Sequence, residues 1–225
     1  MRSIRPSEMK NVRLKWIKMA KKLDEFEGIN FEILFTGRSN VGKSSVLKQI
    51  TGKNIKVGKR PGVTLKPTHI RYSDLLLTDL PGFGFMSGVK DRKQDIVKDQ
   101  IVRYIESNAE RISLAVLVID GATFLDIVQR WEERNEIPID IEIFELFKEL
   151  GIDTILAVNK TDKIDGELDK TLDGICDKLE MLPPWKQWID CIAPTCAKKG
   201  DLKSLKSLIR QRLHNAKRDD LFQHF

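Results

Sequence analysis

A chain of 225 residues with 41% hydrophobic content is long enough for one domain with a full core and short extensions. Its longest apolar run, Leu114 to Ile119, is far too short to cross a bilayer, and no stretch reads as a secretory leader, a lipidation signal or another membrane anchor. The net charge is +6, but residues 1–22 and 198–218 each carry eight Lys/Arg against one acid, so basic ends flank an acidic body. That asymmetry points to a polyanion such as RNA, or to solvated basic helices at each end.

Three cysteines, Cys176, Cys191 and Cys196, form no C-x-x-C and suit reduced thiols in a cytoplasmic protein. His69, His214 and His224 are scattered, which gives no zinc-site spacing.

In chain order, residues 8–27 are expected to be helical, with Val12, Trp16, Met19, Leu23 and Phe26 on one stripe and lysines over the rest. Gly28 closes that helix, leaving a basic extension at 1–27 that is either docked on the core or an arm touching RNA. Phe31–Phe35 is a short apolar run typical of a buried strand. Gly37-Arg38-Ser39-Asn40-Val41-Gly42-Lys43-Ser44-Ser45 then reads G-x-x-x-x-G-K-[ST], and a helix follows as far as Ile50, ended by Gly52. Strand, glycine loop and helix are the context a phosphate-binding loop needs. The glycines let backbone approach a phosphate, and the loop N–H groups with the helix N-terminus attract an anion. Lys43 is expected to reach the β- and γ-phosphates, and Ser44 to hold Mg²⁺.

Residues 51–67 show no periodicity and are expected as a mobile loop containing Arg60-Pro61-Gly62-Val63-Thr64. His69–Tyr72 and Leu75–Thr78 read as two strands around a turn at Ser73-Asp74. Asp79-Leu80-Pro81-Gly82 follows: an aspartate at a strand end for an indirect hold on Mg²⁺, and a glycine whose N–H can reach a γ-phosphate. Residues 83–90 are glycine-rich. A charged helix is expected over Asp91–Arg111, with Ile96, Ile101 (or Gln100), Tyr104 and Ile105 facing in.

Ser113–Asp120 is a continuous apolar run, as in a central parallel strand. A helical region with Trp131 as a packing residue is interrupted by Pro138, and Asp140 is expected to cap a second helix with Ile141, Phe144, Phe147 and Leu150 inside. Asp153–Val158 is the next strand and delivers Asn159-Lys160-Thr161-Asp162 to the carboxyl edge of the sheet, where α/β proteins bind ligands. A carboxylate there accepts two parallel bonds from guanine N1–H and N2–H₂, a donor pair that adenine lacks. The Lys160 stem can cover the base, and Asn159 can tie this loop to the phosphate loop. Trp188–Ile192 is expected as the last strand, followed by Thr195-Cys196-Ala197-Lys198 and a helix over Asp201–Asn215. The Ala197 and Lys198 N–H groups are candidates for guanine O6, with Cys196 a small packing residue.

These elements, in this order, resemble the translation-factor-like class of small P-loop GTPases, and more narrowly the EngB (YihA) family. Gly37–Ser45, Arg60–Thr64 and Asp79-Leu80-Pro81-Gly82-Phe83-Gly84 are similar to its signatures, and Arg130–Arg134 with Ile137–Asp140 is similar to archaeal members. The resemblance spans about residues 28–216, which it implies to be the GTPase domain, with residues 217–225 as a tail. Departures are Phe83 where tyrosine is usual, and Cys196 where serine is usual.

The resemblance implies an α/β fold of the Ras-like kind: a mostly parallel six-stranded sheet with helices on both faces, plus the basic N-terminal helix. It also implies a cytoplasmic, monomeric switch that binds GTP and GDP and slowly hydrolyses GTP with Mg²⁺. Lys43, Thr64 and Gly82 would act on the phosphates, and Ser44 and Thr64 would bind the metal directly, with Asp79 indirect. Nucleotide contacts would come from Gly37–Ser45, Gly62–Thr64, Asp79–Gly82, Asn159–Asp162 and Cys196–Lys198. Asn40 resembles the asparagine that holds potassium in cation-activated members of the class. The implied partner is a large ribosomal subunit precursor, and the family is also associated with cell division and septation. A septum or membrane-associated GTP factor and an ATP-using P-loop enzyme are the alternatives; the guanine-type Asn159–Asp162 element argues against the second.

Overall fold

A computed structural model describes residues 26–52, 67–83 and 91–225. Residues 8–25 of the helix expected over 8–27, most of the 51–67 loop with Gly62, Val63 and Thr64, and residues 84–90 lie outside the described residues. Six strands, β1 (Phe31–Thr36), β2 (Thr68–Tyr72), β3 (Leu75–Asp79), β4 (Ile112–Asp120), β5 (Thr154–Asn159) and β6 (Ile192–Pro194), form one sheet in the order β2-β3-β1-β4-β5-β6. All neighbours are parallel except β2, which returns antiparallel to β3 through the turn at Ser73-Asp74.

Successive side chains of a strand face opposite sides, so each strand feeds two cores. On one side Ile33, Phe35, Val116 and Val118 pack under α1 (Lys43–Thr51) and α6 (Lys203–Asn215), through Val46, Leu47, Leu205 and Ile209. On the other, Leu34, Leu117, Ile119 and Leu156 meet α2 (Asp91–Asn108), α3 (Phe124–Glu132), α4 (Ile139–Glu149) and α5 (Leu168–Lys178). Covering both faces is what makes β4 a near-continuous apolar run. No helix among the described residues is long and apolar enough to cross a membrane.

Register sets the functional edge. Phe35 lies opposite Asp79, Thr36 opposite Leu117, and Asp120 opposite Asn159. The chain therefore leaves β1, β3, β4 and β5 on one side of the sheet, with its phosphate-loop, Asp79, Asp120 and Asn159 segments side by side.

Four local expectations shift. The inner stripe of α2 is Val97, Ile101 and Ile105, four residues apart, and Ile96 is 44% exposed. In α4 the buried set is Asp140, Ile143, Phe144 and Phe147, one helical stripe, whereas Ile141 is half-buried and Leu150 partly exposed. Pro138, not Asp140, holds the N-cap position of α4; Asp140 faces inward to an arginine partner. The last strand starts at Ile192 rather than Trp188: Trp185–Trp188 is a 3-10 turn, Ile189 is 63% exposed, and pairing begins where the Cys191 carbonyl accepts the Leu156 N–H at 2.8 Å.

The segment expected as a tail is docked. Asp219–His224 is a 3-10 turn that buries Leu221 and, just beyond it, Phe225. Arg210 donates to the Phe225 carbonyl at 2.6 Å, and Arg218 pairs with Asp74 at 2.8 Å. At the other end Phe26 lies edge-on to His69, with the Arg111 guanidinium 3.8 Å from its ring centroid.

Candidate functional site

The loop between β1 and α1 needs its two glycines for reasons of space. Gly37 has φ 151°, and a Cβ there would lie 2.2 Å from the Val118 carbonyl oxygen. Gly42, at φ 94°, is the N-cap of α1, and its Cβ would lie 2.3 Å from Asn159 Nδ2. Backbone thus approaches backbone and a buried amide more closely than any side chain allows. Ser39 N–H donates to the Phe83 carbonyl at 2.8 Å, and Phe83 N–H to the Gly37 carbonyl at 3.4 Å, so the Asp79–Phe83 segment is zipped to the phosphate loop. Gly82 permits this: a Cβ there would lie 2.9 Å from Ser39 Oγ.

Lys43 is buried at the first position of α1; its Nζ donates to the Leu80 carbonyl at 2.7 Å and forms an ion pair with Asp79. Ser44, half-buried, and Ser45, exposed, follow in the same first turn. The structure therefore brings Gly37–Ser45 and Asp79–Gly82 together at the sheet edge.

The Asn159–Asp162 segment joins them. Asn159 is buried and donates from Nδ2 to the Val41 carbonyl at 2.9 Å. Its Oδ1 accepts from the Ala197 N–H at 3.0 Å and the Thr195 hydroxyl at 3.4 Å. The expected tie to the phosphate loop is present, but the Ala197 N–H is spent on it, which leaves Lys198 as the candidate N–H donor to a base carbonyl. Thr161 braces the same junction by donating its N–H and hydroxyl to the Thr195 carbonyl at 3.2 and 3.1 Å. Lys160, at φ 65°, extends its Nζ to the Asn40 carbonyl at 2.6 Å and to Asp120 at 2.5 Å.

Asp162 stands exposed in the 3-10 turn Thr161–Lys163. A hydrogen bond from Cys196 and the nearby Lys199 and Lys198 hold its carboxyl below the ordinary carboxylate range, so it is an anion at neutral pH. Cys196 is buried, as a packing residue should be, and is also a donor to the acid.

Three residues that matter here were not singled out from sequence as part of the site. Asp120 fixes Lys160 and also accepts the Ala122 N–H at 3.1 Å. It shares with Asp79 and Asn159 the one available signal, a polar residue ending an apolar strand. Asp140 is almost fully buried and pairs with Arg38 of the phosphate loop. Burial pushes its carboxyl above the ordinary range, and Arg38 opposes that shift. Asp140 Oδ1 and Arg38 Nη2 are both buried without a hydrogen-bond partner among the described residues. Trp131 lies with its ring centroid 5.5 Å from the Arg38 guanidinium and lines a pocket of about 650 Å³ beside the loop.

This architecture has clear relatives. A family model described as 50S ribosome-binding GTPase matches residues 32–160. A probable GTP-binding protein EngB of Methanosarcina mazei is 60% identical over 209 residues, covering 92% of this chain and all of that protein. Its counterpart from Halorubrum lacusprofundi is 48% identical over 194 residues, covering 85% of this chain and 94% of that protein. A crystal structure of a probable GTP-binding protein EngB superposes with a TM-score of 0.75 at 43% identity, covering 82% of this chain and 99% of that one. A GTP-binding protein from Sulfolobus solfataricus in complex with GDP shares the fold, with a TM-score of 0.53 at 22% identity, over 93% of this chain and 60% of that one. With its phosphate loop and its Asn159-Lys160 pair inside the matched span, this chain belongs to the EngB family of GTP-binding proteins.

Proposed function

We propose that the protein is a magnesium-dependent GTPase switch acting in assembly of the large ribosomal subunit, with residues 28–216 as its working domain. The observation that carries the nucleotide assignment is Asn159: one buried amide holds the phosphate loop through Val41 and the base-side loop through Ala197. Asp162, kept ionised, would accept guanine N1–H and N2–H₂, while the Lys198 N–H would meet O6 and the Lys160 stem would lie along the base. Lys43 and the loop N–H groups would bind the phosphates, and Thr64 and Gly82 would sense the γ-phosphate. The residues that would hold a metal, Ser44 and Thr64 directly and Asp79 indirectly, offer oxygen atoms, a set that suits Mg²⁺; the ion would neutralise charge on the phosphates.

Hydrolysis is slow in this reading because Phe83, buried at 1% exposure, stands where related GTPases place a water-orienting glutamine. Asn40, exposed at the loop rim, would lend its side chain to a potassium ion that offsets developing phosphate charge. The ribosomal role is supported by the description of the matching family model and by the basic ends of the chain. Association with cell division and septation would follow from that role.

Substituting Asp162→Asn tests the base assignment. It replaces one of the two acceptor oxygens by a donor NH₂ group, so GTP binding should weaken by roughly a hundredfold and xanthosine triphosphate, which carries a carbonyl at position 2, should improve. An unchanged preference between the two nucleotides in a binding titration overturns the assignment.

A further inference from the structure

The pocket of about 650 Å³ lies beside the phosphate loop, yet Lys43, Ser44 and Asp162 do not line it. It shares Arg38–Val41 and Lys160 with the candidate GTP site and is otherwise bounded by Phe83, Lys98 of α2, Asp120 at the end of β4, Thr123, the start of α4, and α3 with its C-terminal turn. Its volume falls within the ~300–1,000 Å³ of ligand pockets. Five cations border it: Arg38, Lys98, Arg130, Arg134 and Lys160. Arg38 is matched by Asp140, Lys98 by Glu142 and Lys160 by Asp120.

Among the described residues, no carboxylate pairs with Arg130 or Arg134; the Arg130 Nε donates to the Asp126 carbonyl at 3.0 Å. These two arginines flank the half-buried Trp131 in sequence and line the same pocket. The acids between them are engaged elsewhere, Glu132 with Lys178 at 2.7 Å and Glu133 with Gln129 at 3.4 Å.

The Trp131 ring, with the Arg38 guanidinium 5.5 Å from its centroid, and two guanidinium groups without a carboxylate partner line one pocket, a set that fits a ligand flat at one end and anionic at the other. A bare phosphate would leave the ring unused, and an apolar peptide would leave both arginines unmatched. We propose that this pocket takes an unpaired nucleotide of single-stranded RNA, its base stacked on Trp131 and its phosphates on Arg130 and Arg134. The inference rests on the ribosomal reading above and gives it a contact point outside the basic ends of the chain.

The test is binding of a short fluorescent oligouridine to the full-length, GDP-loaded protein across a salt series. Arg130→Glu with Arg134→Glu should weaken binding by at least about tenfold and flatten its salt dependence. Trp131→Ala should cost roughly fivefold or more, with Trp131→Phe recovering most of it, because every base offers a π-face. The arginine variants should bind GDP as the intact protein does, which shows that they are folded. Oligouridine affinity unchanged in all variants overturns the site. Uridine monophosphate competing as well as oligouridine overturns the RNA assignment in favour of a free nucleotide. Sedimentation of the same proteins with large subunits separates this inference from its premise: if the variants sediment like the intact protein the pocket fails and the ribosomal reading stands. If the intact protein itself does not sediment, that reading fails while the oligouridine arm still decides the pocket.

Discussion

At the scale of single residues, the nucleotide site is written locally and its supports are not. Gly37, Gly42 and Lys43 are legible because the constraint that selects them acts within nine residues of chain. Asn159 and Asp162 are legible by their place at the end of a buried strand. The Arg38–Asp140 pair is not, since its partners are 102 positions apart and each looks ordinary alone: a loop arginine and a helix-capping acid. Burial decides what this pair is worth. Two charges taken out of water recover their desolvation cost only through each other, and here one atom of each remains unpartnered among the described residues. Asp140→Ala should therefore destabilise the protein by about 3–5 kcal/mol, because the largely buried Arg38 loses its carboxylate partner. The double variant Arg38→Met, Asp140→Leu should lie within about 1 kcal/mol of the parent in stability while still perturbing the phosphate loop. Urea titrations of the two variants and the parent read this directly, and a double variant that loses as much as Asp140→Ala would overturn the predicted recovery.

At the scale of elements, periodicity located most helices and strands, but it could not anticipate which polar residues are buried and what holds them. Asp140 rotates the reading of α4, and Glu32, wholly buried in β1, is held by Arg111 at 3.0 Å, the Tyr104 hydroxyl at 2.8 Å and the Thr78 hydroxyl at 2.5 Å. No hydrophobic pattern announces such a network; it follows from partners that only the fold assembles. The C-terminal segment is a further case. Its Arg218-Asp219-Asp220 start reads as solvated, yet Leu221 and Phe225 join the core that α1 and α6 cover. Truncation after Ala216 should lower stability by about 3–6 kcal/mol, from two large apolar side chains at roughly 1.5–3 kcal/mol each. The pH dependence has a definite sign. Hydrogen bonds from Arg218 hold the Asp74 and Asp220 carboxyls below their ordinary range, so their contribution is present above the unfolded-state value near ~4 and is lost as pH falls through the lowered folded values. Acid should loosen this segment first, seen as faster amide exchange at residues 219–225 than in α6. A truncated chain with parental stability would show that the docking contributes nothing.

At the scale of the whole molecule, charge asymmetry was visible in composition, and the fold sorts which charges are available. Of the basic residues in 198–218, Arg210 is committed to the Phe225 carbonyl, Arg212 to Asp153 and Arg218 to Asp74 and Asp220. Reversing Arg210 would therefore disturb the docked C-terminus as well as any external contact, and it is a poor probe of RNA. Lys199 and Lys203 are exposed, and neither they nor Lys206 pair with a carboxylate among the described residues. If this end meets ribosomal RNA, each lysine on a phosphate releases a counterion, and affinity falls with salt at a log–log slope of about −0.7 to −0.9 per contact. Charge reversal at Lys203 and Lys206 should weaken large-subunit co-sedimentation and make that slope shallower by about 1.5, with guanine nucleotide binding unchanged; Lys199 is left in place because it stands beside Asp162. Deleting residues 1–22, which hold no nucleotide-binding motif, should act in the same direction. Variants that match the intact protein at every salt concentration would reduce the basic ends to surface chemistry. RNA contact would then have to come from the part of the molecule where cations stand unmatched beside an aromatic ring, at Arg130, Trp131 and Arg134.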